Sequence, residues 1–225
     1  MNIVDKIDDA VKIETILASV SDKSGLETFI PDLLKINPDI VVLSTGGTYN
    51  KIKEILGKDA ENCLQKVSEY TGQPETQGGL VKTLDFKIYL GLLTETYNEA
   101  HQADLKRVSG KKIDMVVVNL YPFAGTIAKP DVTCEMARGN IDIGGPTMIR
   151  ASAKNYIRTA SVVDPASYGS IIEAMEKNRG CLTLQDRFDL SKKAFDHTAV
   201  YDRTIADFLS TKSLDEVSNC YKTGE

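Results

Sequence analysis

The sequence predicts an α/β protein: a central sheet, mostly parallel, flanked by helices, with extra helices toward the C-terminus. Two observations carry this. Apolar runs at residues 15–20, 40–43 and 115–120 lack the polar alternation of half-exposed strands and read as strands buried on both faces. Between them apolar residues recur at helical offsets, as in Leu26, Phe29, Ile30, Leu33 and Leu34. Strand and helix in alternation are the pattern of a parallel sheet.

Composition narrows the function classes. A chain of 225 residues with 42% hydrophobic content is long enough for one large domain, and residues 1–225 are read as one. The net charge of -5 gives no bulk attraction for nucleic acid or a membrane surface, so an anionic substrate needs a local basic cluster. The opening Met1-Asn2-Ile3-Val4-Asp5-Lys6-Ile7-Asp8-Asp9 is broken by charges and is no signal peptide, and no apolar run reaches membrane-spanning length. Cys63, Cys134, Cys181 and Cys220 are far apart, and with only His101 and His197 they form no zinc spacing. A reducing cytoplasm and no metal are the expectation.

In chain order, Thr15-Ile16-Leu17-Ala18-Ser19-Val20 is the first strand, with Ser21 as the N-cap of the helix that Asn37-Pro38 ends. The second strand, Ile40-Val41-Val42-Leu43, runs into Ser44-Thr45-Gly46-Gly47-Thr48 and a helix carrying Tyr49, Ile52, Ile55 and Leu56 on one side. A strand that turns through small residues into a helix start offers free N–H groups and the positive end of a helix dipole, a phosphate site. A capped Gly-rich turn with no ligand is the plain alternative. Residues 68–79 are turn-rich and long for a connector, and Leu80-Val81-Lys82-Thr83-Leu84 alternates like a short strand.

A helix near residues 98–108 precedes the most apolar run, Met115-Val116-Val117-Val118-Asn119-Leu120, which delivers Asn119 and Tyr121 to a carboxyl end. Asn140-Ile141-Asp142-Ile143-Gly144-Gly145-Pro146-Thr147 is a tight turn entering a helix, with Lys154-Asn155 about two turns in or just past it. Thr159-Ala160-Ser161-Val162-Val163 is a strand, and Asp164-Pro165 opens a helix bearing Tyr168, Ile171, Ile172 and Met175. Residues 184–208 read as one or two helices burying Phe188, Phe195, Tyr201 and Phe208, and the last dozen residues as loose.

Eight segments now lie in order: Ser19-Val20-Ser21-Asp22-Lys23-Ser24-Gly25-Leu26, Leu43-Ser44-Thr45-Gly46-Gly47-Thr48, Ser68-Glu69-Tyr70-Thr71-Gly72, Val81-Lys82-Thr83-Leu84, Val118-Asn119-Leu120-Tyr121-Pro122-Phe123, Ile141-Asp142-Ile143-Gly144-Gly145-Pro146-Thr147, Arg150-Ala151-Ser152-Ala153-Lys154-Asn155 and Lys193-Ala194-Phe195-Asp196-His197-Thr198-Ala199. Together they resemble the inosine monophosphate (IMP) cyclohydrolase domain of the bifunctional purine-biosynthesis family, fused elsewhere to an aminoimidazole carboxamide ribotide transformylase. The resemblance implies a methylglyoxal-synthase-like fold and dehydrative closure of formylaminoimidazole carboxamide ribotide (FAICAR) to IMP. It implies Lys82 and Tyr121 near the formyl oxygen, and Asp142 with Lys154 as a proton-transfer pair. Ser19, Ser21, Lys23, Ser44, Gly46, Gly47 and Thr48 would cradle the nucleotide and phosphate; Thr83, Asn119, Ile143, Gly144 and Gly145 complete the binding set. No cofactor is expected. By analogy the chain pairs as a homodimer, stands alone without the transformylase, and receives its substrate from a separate formyltransferase.

The plain readings stand beside these: Lys82 as a solvated strand lysine, Tyr121 as a core ring, Asp142 as a helix cap, Lys154 as a helix C-terminal cation and His197 as structural. The sequence departs from the family where Leu80 replaces an arginine, Asp85-Phe86 replaces His-Pro, Tyr89-Leu90-Gly91 replaces a His-Gly-Gly-like stretch and Gln73 replaces an aromatic. Losing an arginine removes a bidentate phosphate or carboxamide donor. A non-catalytic nucleotide-binding module of the same fold and a paralogue with another substrate therefore stay open. A methylglyoxal-synthase-type lyase lacks its Gly-Pro-Leu-Gly-Gly-Asp stretch here.

Overall fold

The computed structural model describes residues 3–74 and 83–224. Short strands β1 (Ala10–Lys12) and β7 (Cys181–Thr183) pair antiparallel on their own. The central sheet comprises β2 (Thr15–Val20), β3 (Val41–Ser44), β4 (Leu64–Lys66), β5 (Met115–Asn119) and β6 (Ala160–Val162). Its order is β4-β3-β2-β5-β6 and each neighbouring pair is parallel.

The apolar runs are continuous because alternate residues feed two cores. Ile16, Ala18, Val20, Met115 and Val117 face α1 (Leu26–Ile36), α2 (Gly46–Leu56) and α10 (Tyr168–Lys177). Leu17, Leu43, Val116 and Val118 face α5 (Phe86–Leu93), α7 (Phe123–Ile127), α9 (Gly144–Lys154) and α11 (Leu184–Ser210). Burying a side chain of this size contributes about 1.5–3 kcal/mol relative to leaving it exposed. Short helices α3 (Ala60–Cys63), α4 (Val67–Thr71), α6 (Glu99–Arg107), α8 (Cys134–Gly139) and α12 (Leu214–Ser218) fill the connections.

From β2 the chain steps to β3 and β4 on one side, then returns to β5 and β6 on the other. The direction of winding reverses at β2, so the loops leaving β2, β3 and β5 border a crevice at the carboxyl edge. That topology positions the site.

Several expectations are corrected. Ser21 does not cap α1. Gly25 stands at the N-cap with φ 76°, a left-handed conformation that favours glycine, and residues 21–24 form a loop in which Asp22 accepts the N–H and hydroxyl of Ser24. The C-terminal region is one long helix, not two, started by a Thr183–Asp186 capping box. On it Tyr201 is buried and Phe208 half-buried, but Phe188 and Phe195 are exposed. They lie under cations instead, Lys192 over Phe188 and Arg150 over Phe195. Nor is the tail loose: Ser213 and Glu216 form a capping box for α12, and the Tyr221 hydroxyl donates to Glu135. Thr83 and Leu84 are turn and coil; the rest of the strand expected at residues 80–84, with Leu80 and Lys82, lies outside the described residues.

Candidate active site

The loops after β2, β3 and β5, with the turn before α9, enclose a cleft of about 420 Å³. That volume suits a small-molecule ligand. Two interstrand spacings separate the β3 loop from the β5 loop, about 10 Å, or roughly the span of one nucleotide.

The β3 side is built for an anion. Gly46 and Gly47 begin α2, so their N–H groups precede the first intrahelical bonds and point outward at the positive end of the dipole. Gly46 has φ 49°, again left-handed. Lys23 crosses from the β2 loop, its ammonium anchored on the Ser21 carbonyl at 3.2 Å. A Cβ added at Gly47 would lie 3.9 Å from that nitrogen, so glycine keeps the space between cation and helix start open. Ser19 and Thr45 hydroxyls meet at 3.3 Å on the cleft floor. Gly47→Val is expected to fold normally, because Gly47 has no left-handed φ and its added Cβ meets only ordinary contacts. It should weaken phosphate-ligand affinity about tenfold or more by filling this space; calorimetry with IMP checks it, and an unchanged affinity removes the cradle.

Other hydroxyls serve the scaffold. Ser44 is fully buried and donates to the Ala18 carbonyl at 2.8 Å, outside the cleft lining. Thr48 lines the cleft, but its hydroxyl accepts the Val20 N–H and donates to the Val20 carbonyl. Asn119 spends its side-chain amide on the β2 loop: Oδ1 accepts the N–H groups of Ser21 (2.7 Å) and Asp22 (2.8 Å), and Nδ2 donates to the Asp22 carbonyl. It shapes the wall that presents Ser21 and Lys23.

The opposite side carries Asp142 and Tyr121. Asp142 Oδ1 accepts the Gly145 N–H at 2.8 Å, so this carboxylate does cap α9 as well as line the cleft. Burial pushes its pKa above the ordinary carboxylate range, with the backbone N–H groups of Gly145 and Tyr121 pulling it partly back. A Cβ at Gly145 would approach Asp142 Oδ2 and Leu120 to 2.5 Å, and one at Gly144 would approach the Thr83 hydroxyl to 2.7 Å. Both glycines are therefore required by close approach. Tyr121 stands at the mouth, 56% exposed, and Ile143 beside it is 61% exposed.

The cleft thus gathers Ser19, Ser21, Lys23, Gly46, Gly47, Thr48, Thr83, Asn119, Tyr121, Asp142, Ile143, Gly144 and Gly145. Lys82 lies outside the described residues. Lys154 is a correction: it is exposed at the C-terminal end of α9, about 15 Å along the helix from Gly144, and within one chain it forms no pair with Asp142. His197 is half-buried on α11, away from the cleft lining, and burial lowers its pKa. The sequence reading missed Val20, Thr45, Leu84, Gly139, Ile141 and Met148 as lining residues. Thr45 sat inside the Gly-rich stretch and was findable; the others are apolar or small and carry no chemical signal. Among the described residues no group of three His, Cys, Asp or Glu side chains is arranged to hold a metal ion, and no helix is long and apolar enough to cross a membrane.

Comparison with known proteins agrees with this geometry. Residues 152–224 match the family described as AICARFT/IMPCHase bienzyme. The chain is 46% identical over 213 residues to the bifunctional purine biosynthesis protein PurH of Neisseria meningitidis serogroup A, covering 95% of this chain and 39% of that protein. It is 44% identical over 207 residues to PurH of Chlorobium phaeobacteroides, covering 92% of this chain and 38% of that one. The chain therefore spans about two fifths of the length of these relatives. It also superposes on the crystal structure of ForH with a TM-score of 0.72 and 28% identity, over 88% of this chain and 99% of that one. Residues 25–147, more than half of the chain, match the MGS-like domain, and it is to the MGS-like domain family that this chain belongs.

Proposed function

We propose that this protein is an IMP cyclohydrolase, closing FAICAR to IMP with loss of water in the cytoplasm. The observation that carries the reading is the two-sided cleft. A cation and a helix start on the β3 side suit a ribotide phosphate, and a carboxyl of raised pKa with a phenol lines the other side of the same cleft. Similarity to PurH supports purine chemistry.

In this reaction the carboxamide nitrogen adds to the formyl carbon of the same molecule and gives up one N–H proton, the formylamino nitrogen gives up its own as the ring C=N bond forms, and the formyl oxygen departs with these two protons as water. Both reacting groups are already in one molecule, so the protein's task is to hold the reactive rotamer and move protons. Asp142 takes the amide proton and returns it to the departing oxygen. Tyr121 donates a hydrogen bond to the developing oxyanion, and Lys82 supplies a positive charge there. Gly144 and Gly145 let Thr83, Leu120 and Asp142 close on the turn that lines the cleft.

An ultraviolet assay for IMP from FAICAR, without folate or added metal, tests the reading. Steady conversion is expected. No conversion, with tight nucleotide binding by calorimetry, would make the protein a binding module instead. The pathway position is equally open to test, since the substrate requires a preceding formyl transfer.

Lys154 stays in the catalytic set only if a second copy delivers it. It lies one turn beyond Arg150, which covers the exposed Phe195, and this α9–α11 face is the one we assign to a homodimer. Asp142→Asn and Lys154→Ala, each inactive alone, are then expected to regain about a quarter of wild-type activity when mixed and allowed to exchange, because half the dimers are mixed and each has one intact site. No recovery, or full activity in Lys154→Ala alone, removes Lys154 from the mechanism.

A further inference from the structure

The Asp142 turn is held from behind by a residue outside the cleft. Tyr201 on α11 is buried, and its hydroxyl accepts the Asp142 N–H at 2.8 Å while reaching the Asn140 carbonyl at 3.5 Å. Its ring meets Phe123 edge-on with centroids 6.2 Å apart, and the Phe123 N–H donates to the Tyr121 carbonyl at 2.8 Å. One side chain thus touches both segments that carry the proposed chemistry. A phenol suits the place: it accepts an N–H and donates to a carbonyl while its ring fills apolar space.

We infer that Tyr201 is a positioning residue for the ring-closure reaction, its hydroxyl fixing how deeply the Asp142 carboxyl sits in the cleft wall. The inference rests on the cyclohydrolase reading, which gives Asp142 its task. The carboxyl is burial-sensitive, and the turn 140–142 that buries it hangs on this hydroxyl and on the Gly145 N–H. Titratable groups facing it are Tyr201 from α11, Tyr121 from the β5 loop and Lys23 on the cleft lining, while Asp202 acts on the Tyr201 hydroxyl.

Tyr201→Phe deletes the hydroxyl and keeps the ring. It is expected to lower kcat about tenfold with KM within about twofold, since binding contacts stay and the proton-transfer geometry loosens. The carboxyl titration of Asp142, followed by carbon-13 NMR, should move down toward the ordinary aspartate range as water reaches it. Phe123→Leu is the packing control: it keeps the hydroxyl, and should lower the unfolding midpoint without moving that titration. If Tyr201→Phe leaves both kcat and the titration at wild-type values, or if Phe123→Leu moves the titration equally, Tyr201 is a packing residue and the inference falls. Wild-type protein that turns over no FAICAR, yet whose Asp142 titration moves in Tyr201→Phe, overturns the cyclohydrolase reading while the positioning stands.

Discussion

Asp142→Asn is expected to lower kcat by about 10²–10⁴-fold while IMP affinity stays within a few-fold. The substitution is nearly isosteric, and the remaining side-chain oxygen still accepts the Gly145 N–H, so the turn before α9 keeps its shape. What is lost is the capacity to take a proton. Burial already raises the proton affinity of this carboxyl above that of an exposed aspartate, which makes it a stronger base near neutrality. The pH dependence follows from the same direction. The wild-type rate should fall on the acid side with an apparent pKa above the ordinary value of about 3.9, because protonated Asp142 cannot accept the amide proton. The residual rate of Asp142→Asn should lack that limb. Initial rates of IMP formation between about pH 5 and 9 for both proteins measure this. A kcat within about threefold of wild type would place the proton transfer elsewhere.

The strands that carry the site were legible because each is buried on both faces and long enough to show it. Residues 15–20, 41–44 and 115–119 have no polar alternation, and each ends in hydroxyl, glycine or asparagine residues at the carboxyl edge. The elements that escaped are short or marginal. Leu64-Gln65-Lys66 is a three-residue strand with no fully buried residue, and β1 and β7 are three residues each, paired only through the long-range fold. No local pattern distinguishes such pieces from turn. The Phe188 and Phe195 error has a related cause: aromatic residues at helical spacing imply a buried stripe, but cations over their rings satisfy them at the surface.

In the site, motif order located nearly every lining residue, yet side-chain roles depended on partners distant in sequence. Ser44 turns its hydroxyl into the sheet, and Asn119 commits its amide oxygen and one N–H to a loop 97 residues away, which leaves a single Nδ2 donor for a ligand. Lys154 follows Asp142 closely in sequence, but the length of α9 separates them. Tyr201 was legible as a buried helix position but not as a partner of Asp142, and the fully buried Arg187, whose guanidinium donates to the carbonyls of Asp8, Asp9, Tyr156, Ile157 and Leu182, has no motif signal. Their functions exist only once the chain has closed on itself.

Arg158→Ala is expected to destabilise the fold by about 3–5 kcal/mol, because it removes one partner of a buried ion pair and leaves the other uncompensated. Arg158 and Asp114 side chains are 3% and 9% exposed and meet at 2.9 Å. Asp114 Oδ2 accepts the N–H groups of Glu14 and Thr15 at the start of β2, while the guanidinium donates to the Gly91 and Thr94 carbonyls at the end of α5. The pair therefore fastens the amino edge of the sheet, opposite the cleft. Burial pushes the Asp114 carboxyl up and the Arg158 charge pulls it back; without the arginine, burial acts unopposed except by those N–H groups. A carboxyl whose folded pKa lies above its unfolded value binds its proton more tightly in the folded chain. The penalty is therefore absent below the unfolded pKa of about 3.9 and complete above the folded one. Urea unfolding of wild type and variant should show the full difference at neutral pH and a smaller one as pH falls toward that value. The melting temperature at neutral pH should drop by about 10 °C, at 2–4 °C per kcal/mol for a chain of this size. Below its melting transition the variant should keep wild-type kcat, since Arg158 touches nothing in the cleft. A loss under about 1 kcal/mol would mean that Arg158 does not hold this edge, and a larger loss that fails to shrink at acid pH would mean that its bonds to the carbonyls, and not the charge pairing, do so.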